Sequence, residues 1–145
     1  MNTYHIDEGF FQLPAGYEDE TTHALTWPPS NDTTSPFSLT LNRDPLPDQY
    51  TLKTYVAYQL QTLKHDLQQC QIGGRRSRQI DGLAAEEIEF TWLSDGEQMA
   101  QRQVYVAHKG NVLVFTATMM ETFTPEGHQY WETILAQFQF RAGMK

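Results

Sequence analysis

With one cysteine, Cys70, the sequence cannot form an internal disulfide, which fits a reducing compartment. Positive charge is also scarce. Lys and Arg total 10 against 18 Asp and Glu, for a formal net charge of −8. Binding a phosphate backbone needs clustered cations, so nucleic acid is excluded as the expected partner. The Arg75-Arg76-Ser77-Arg78 run reads as a solvated strand edge. Long apolar runs are missing: nothing approaches the ~18 residues of a membrane helix. The Met1–Glu8 stretch has neither the basic nor the apolar region of a secretory signal. The expectation is a cytoplasmic protein that is not membrane-inserted. In that setting the Asn31-Asp32-Thr33 sequon has no consequence.

The chemical motifs of enzymes are equally thin. The 5 histidines (His5, His23, His65, His108 and His128) show no metal-ligand spacing with a carboxylate. Ile72-Gly73-Gly74-Arg75-Arg76 lacks the Gly-Lys-Ser/Thr of a phosphate loop, and no Gly-x-Ser-x-Gly elbow occurs. Cys70 closes an amphipathic stretch and reads as an inert thiol. Glu86, Glu87 and Glu89 are either a solvated strand face opposite Arg102 or Gln101, or a carboxylate site if they line a pocket. No cofactor, no metal and no catalysis are expected.

What is present is a foldable chain. Hydrophobic residues make up 39% of 145 positions, enough for a single domain over residues 1–145 with one core. Strand signals cover Tyr4–Ile6, Phe10–Leu13, Thr21–Trp27 and Phe37–Leu41, with Pro28–Pro36 and Asp44–Asp48 as breaks. Leu52, Val56, Leu60, Leu63 and Leu67 recur at three- and four-residue steps, which predicts a helix over Thr51–Cys70. Gly73-Gly74 leads to a strand near Arg76–Ile80. A meander follows over Ala84–Leu93, Met99–Ala107 and Asn111–Met120. Thr124-Pro125 opens a last helix, with Trp131, Ile134, Leu135 and Phe138 as its apolar stripe. Strands dominate without βαβ alternation. The fold class is therefore α+β, a curved and mainly antiparallel sheet with two helices packed on one face.

The stretch Gln101–Thr118 raises the functional question, because neither of its faces is plainly wet. If Ser94-Asp95-Gly96 is a three-residue turn, Ile88, Phe90 and Trp92 share the core face with Val104, Val106, Leu113, Phe115, Ala117 and Met119. The opposite face then holds Glu87, Glu89, Thr91, Met99, Gln101, Gln103, Tyr105, Val112, Val114, Thr116, Thr118 and Met120. A two-residue turn would shift the first pairing by one and scramble this division. Threonine and glutamine on a sheet can reflect β-propensity alone. They also suit a groove for an apolar segment that keeps some polar groups, since methionine adapts to irregular shapes and amides satisfy polar atoms that leave water.

The array "LNRDPLP…YTLKTYVAYQLQTL", "IDGLAAEEIEFTWLSDGEQMAQRQVYV" and "NVLVFTAT" resembles the DcrB-like family, with a DcrB/PsbP-like fold, and within it the Eag chaperones of type VI secretion. The resemblance runs from about Tyr4 to Phe138 and rests on the order of motifs that are each weak. It implies a cytoplasmic homodimer that shields the N-terminal transmembrane helices of a toxin effector and promotes their loading onto the VgrG spike. By position it implies a groove of Thr22, Ala24, Thr40, Leu67 and Met99, with Gln59 and Gln103 as polar contacts. The face analysis adds Gln101, Tyr105, Val114, Thr116 and Thr118. Threonine and alanine at positions 22, 24 and 40 stand where larger aliphatics are the family's habit. Two other readings stay open: a small-ligand or enzymatic pocket near Glu87, Glu89 and Tyr105, and a PsbP-like subunit that binds a folded partner edge to edge.

Overall fold

The computed structural model describes residues 2–6, 8–13, 22–27 and 37–140. The expected Pro28–Pro36 loop, with its sequon, lies outside the described residues. A two-stranded sheet pairs β1 (Asn2–Ile6) with β2 (Gly9–Leu13). A six-stranded antiparallel sheet contains β3 (His23–Trp27), β4 (Phe37–Pro45), β5 (Gln68–Ile80), β6 (Leu83–Ser94), β7 (Glu97–His108) and β8 (Asn111–Met120). They lie side by side in the order β3-β4-β8-β7-β6-β5. Helices α1 (Leu52–Asp66) and α2 (Pro125–Gln137) complete the fold.

Three tight turns build the meander. Ile80 pairs Leu83, Ser94 pairs Glu97 and His108 pairs Asn111, so each connection has two residues. Asp81-Gly82, Asp95-Gly96 and Lys109-Gly110 all take positive φ at both positions. This is the type I′ turn, whose twist matches that of the flanking strands. The three-residue turn at Ser94-Asp95-Gly96 is thereby corrected, and with it the assignment of faces. Ile88 stands opposite Gln103, Phe90 opposite Gln101 and Trp92 opposite Met99, whereas Glu87 stands opposite Val104 and Glu89 opposite Arg102.

The sheet has a core on each face. Trp131 and Leu135 of α2 pack on Val104, Val106, Phe115, Ala117 and Met119. Tyr55 and Val56 of α1, flanked by Leu60, Leu63 and Leu67, pack on Ile88, Phe90, Tyr105, Val112 and Val114. Consecutive residues of β8 alternate between the two cores, so the helices cover opposite faces. The α+β class and the antiparallel sheet stand; the placement of both helices on one face does not. The physical sign is the unbroken run Val112-Leu113-Val114-Phe115, which marks a strand buried on both sides.

Three boundaries also differ from expectation, among them the start of β5, which lies at Gln68 rather than near Arg76 and takes in Gly73-Gly74. Helix α1 ends at Asp66, with Leu67 as its C-cap, and Cys70 belongs to β5. A bulge there places Gln69 at φ 51° and lets the strand start directly behind the helix. Strand β4 continues through Asp44 and Pro45 because eight positions pair with β8. Both helices are capped at their start: Thr51 accepts from the Thr54 amide at 3.1 Å and Thr124, as its place before Pro125 suggested, from the Gly127 amide at 3.0 Å.

Candidate functional site

The face under α1 is laid out in cross-strand rows. One row runs Ala24, Thr40, Thr116, Gln103, Ile88 from β3 to β6. The next runs Thr26, Ser38, Thr118, Gln101, Phe90. Beyond it Met120 pairs Met99, which pairs Trp92. Helix α1 covers the β6 side of these rows and leaves the β3 side open. Thr22, Thr40, Gln59, Gln103, Tyr105, Val114 and Thr116 meet around one cavity of about 370 Å³, together with Asn42, Arg43, Asp44 and Tyr55.

The polar atoms of this face are paired with one another. The Trp92 indole donates to Gln101 Oε1 at 2.9 Å, and Gln101 Nε2 donates to Thr118 Oγ1 at 2.9 Å. In the adjacent row the Tyr105 hydroxyl donates to Gln103 Oε1, and Gln103 Nε2 donates to Thr116 Oγ1 at 3.2 Å. Each amide thus holds its ring donor on one side and a hydroxyl on the other. One Nε2 hydrogen of each glutamine and the proton of each threonine hydroxyl remain to be given. Such a surface can be covered at little cost by a mainly apolar guest that accepts from these remaining donors. It can still donate to a carbonyl or hydroxyl of that guest.

The predicted residues do not all stand alike. Ala24 and Thr22 are exposed on the β3 side, while Thr40, Met99, Gln101, Gln103 and Thr118 are half-buried. Tyr105, Val114 and Thr116 are buried, at 1%, 6% and 8% exposure, so they are floor rather than contact surface. Leu67 caps α1 and packs in its core, away from the 370 Å³ cavity. Tyr55 lies edge-on to Tyr105 at 5.9 Å and donates its hydroxyl to Asp44 Oδ2. Burial, more than the neighbouring carboxylate, raises the Tyr55 phenol above its ordinary range, and burial does the same to Tyr105. Both therefore act as donors at neutral pH. Asn42, Asp44 and Tyr55 were not among the expected groove residues, and Trp92 was expected on the opposite face. The Asp95-Gly96 dipeptide was the available signal for Trp92, because a two-residue turn places it beside Met99.

The carboxylates expected beside Tyr105 lie elsewhere. Glu87 is on the α2 face, 2% exposed, and is held by Arg76 at 3.1 Å, Arg78 at 2.6 Å and the Trp131 indole at 3.1 Å. Glu89 pairs with Arg102 at 3.5 Å on that same face. Arg102 also lies 4.9 Å over the Phe123 ring. A pocket shared by Glu87, Glu89 and Tyr105 is therefore not formed, since the sheet separates them. Glu86 shares the α1 face but is bound by Arg75 at 3.3 Å and by Ser77. Burial pushes the Cys70 thiol up, with Lys64 opposing, which keeps it a weak nucleophile. Among the described residues no group of three metal-ligating side chains occurs, and no helix is long and apolar enough to cross a membrane.

An open antiparallel sheet with one helix on each face, and an amide-laddered groove beside the first helix, defines the class of protein. The chain is a member of the DcrB family, whose profile matches residues 8–137. It is 24% identical over 132 residues to the Pseudomonas aeruginosa protein named Effector EagT6, covering 91% of each chain. Its fold is that of a Pseudomonas aeruginosa protein, PA94, described as a putative regulator of unknown function. That match has a TM-score of 0.77 at 23% identity, over 97% of both chains. A more distant fold match is LpqN of Mycobacterium tuberculosis, described as involved in cell envelope biogenesis. Its TM-score is 0.51 at 16% identity, over 80% of this chain and 68% of that one.

Proposed function

We propose that this protein is a cytoplasmic type VI secretion chaperone. It would bind the N-terminal transmembrane helices of a toxin effector, as a homodimer, and promote their loading onto the VgrG spike. The observation that carries this reading is the α1-side groove, whose glutamine and threonine side chains pair with one another in two rows and keep donors for a guest. Such paired rows suit a long, mainly apolar guest with occasional polar atoms. The relation to Effector EagT6 supports the same assignment. An apolar segment of ~20 residues left in water would aggregate, and covering it at roughly 25 cal/mol per Å² drives the association.

The test is co-expression with an effector N-terminus that contains such a segment. The wild-type chaperone is expected to keep it soluble and to co-purify with it. Met99→Asp combined with Gln103→Ala, checked for folding by far-ultraviolet circular dichroism, should lose the complex. Ala24→Asp, an exposed change at the rim, should weaken it without touching the core. Retention of the full complex by both variants would remove the groove from the reading.

A further inference from the structure

The groove is chemically polarised along the strands. At one end stand Met99, Met120 and Trp92. At the other, β4 ends in Asn42 and Asp44 beside Gln59 and Tyr55 of α1. The Asp44 carboxylate is held in place by the Tyr55 hydroxyl through one of its oxygens, Oδ2. Among the described residues no cationic side chain pairs with it, although other carboxylates on the sheet, Glu86, Glu87 and Glu89, each have an arginine. Its neighbour Arg43 reaches the rim of the same cavity but also lines a separate one with His108, Lys109 and Phe138, on the α2 side.

Resting on the chaperone reading above, the geometry points to Asp44 as the site that receives a lysine or arginine flanking the apolar segment, and so sets the direction in which that segment lies. Apolar membrane segments carry their basic residues at their ends. A segment in the groove reaches Asp44 with one end only, because the opposite end of the rows is methionine and tryptophan. Asp44 Oδ1 can then accept from the incoming cation while Oδ2 keeps the Tyr55 hydroxyl. The net charge of −8 attracts a basic flank at either end, so direction, rather than attraction alone, is what Asp44 adds.

Three probes separate these contributions: a synthetic Leu/Ala segment of ~20 residues with two lysines at its N-terminal end, the same segment with them at its C-terminal end, and one with glutamines at both ends. Each is fused to a soluble carrier and titrated against the full chain. The wild type is expected to favour one lysine orientation over the other by about 5-fold, an advantage that shrinks as salt rises. Asp44→Asn keeps an acceptor for Tyr55, and should bind both lysine orientations equally. Equal binding of both orientations by the wild type, or a preference that survives Asp44→Asn, overturns the inference while leaving the chaperone reading intact. Failure of the wild type to hold any of the three probes overturns both.

Discussion

Gln103 joins the Tyr105 hydroxyl, under a side chain 1% exposed, to the Thr116 hydroxyl, 8% exposed. Replacing it with alanine strands both, and a stranded buried polar group costs about 1–3 kcal/mol. Gln103→Ala should therefore lower urea stability by that amount, whereas Gln101→Ala, between half-buried Trp92 and Thr118, should cost less than about 1 kcal/mol. Gly127 carries a different constraint. It is buried in the first turn of α2, and a Cβ there would run into the Met119 sulfur. Gly127→Ala should destabilise by about 1–2 kcal/mol despite its better helix propensity, because overpacking outweighs that gain. Met119→Leu in the same background, which removes the obstructing sulfur, should recover part of the loss in thermal unfolding.

Helix α2 is tied to the edge strand β5 by charge. Arg78 binds both Glu87 at 2.6 Å and Glu132 of α2 at 2.9 Å. The two carboxylates differ in burial, at 2% and 38% side-chain exposure, and that decides their worth. Glu87→Ala leaves two arginines and the Trp131 indole facing a void, and should cost about 3–5 kcal/mol. Glu132→Gln should cost no more than about 0.5 kcal/mol at pH 7, since solvent screens the pair. Hydrogen bonding to Arg78 holds the Glu132 carboxyl below its ordinary range, against a smaller opposing effect of burial. A depressed carboxylate stabilises the fold above its unfolded pKa and loses that contribution as pH falls through the folded value. The gap between wild type and Glu132→Gln in urea titrations should therefore close below roughly pH 4.

The six-stranded sheet has two unlike edges. Strand β5 is guarded by Arg75, Arg76 and Arg78, an arrangement that discourages edge pairing. Strand β3 has five residues, none of them Lys, Arg, Asp or Glu, and Leu25 is 61% exposed. Beside it an apolar cavity of about 660 Å³ opens between β3, β4 and α2, lined by Leu25, Phe37, Leu39 and Ile134. Among the described residues nothing covers this edge, and an open edge next to apolar surface favours association through that side. Light scattering of the purified protein should give twice 16.7 kDa, and Leu25→Asp should return it to the monomer mass.

The number of elements, their types and most of their limits followed from local patterns: the leucine stripe of α1, the Thr-Pro start of α2 and the Asp-Gly and Lys-Gly turns. These are short-range effects of propensity and capping, which the chain carries residue by residue. That Gln101, Gln103 and Tyr105 share a face with Thr116 and Thr118 was legible for the same reason, since alternation and the Lys-Gly turn fix it, whereas Thr40 joined them only through the family resemblance. What alternation cannot fix is how one strand faces the next. A single residue of turn length moved Ile88, Phe90 and Trp92 from one core to the other and took Glu87 and Glu89 away from Tyr105. Nor could the stripes of α1 and α2 say which side of the sheet each covers, because both faces of β8 are apolar. That choice belongs to packing, where the volume under each helix is filled by residues far apart in the sequence. It made Asp44 and Tyr55 neighbours of Gln103, and only there did a set of separate polar residues become one surface.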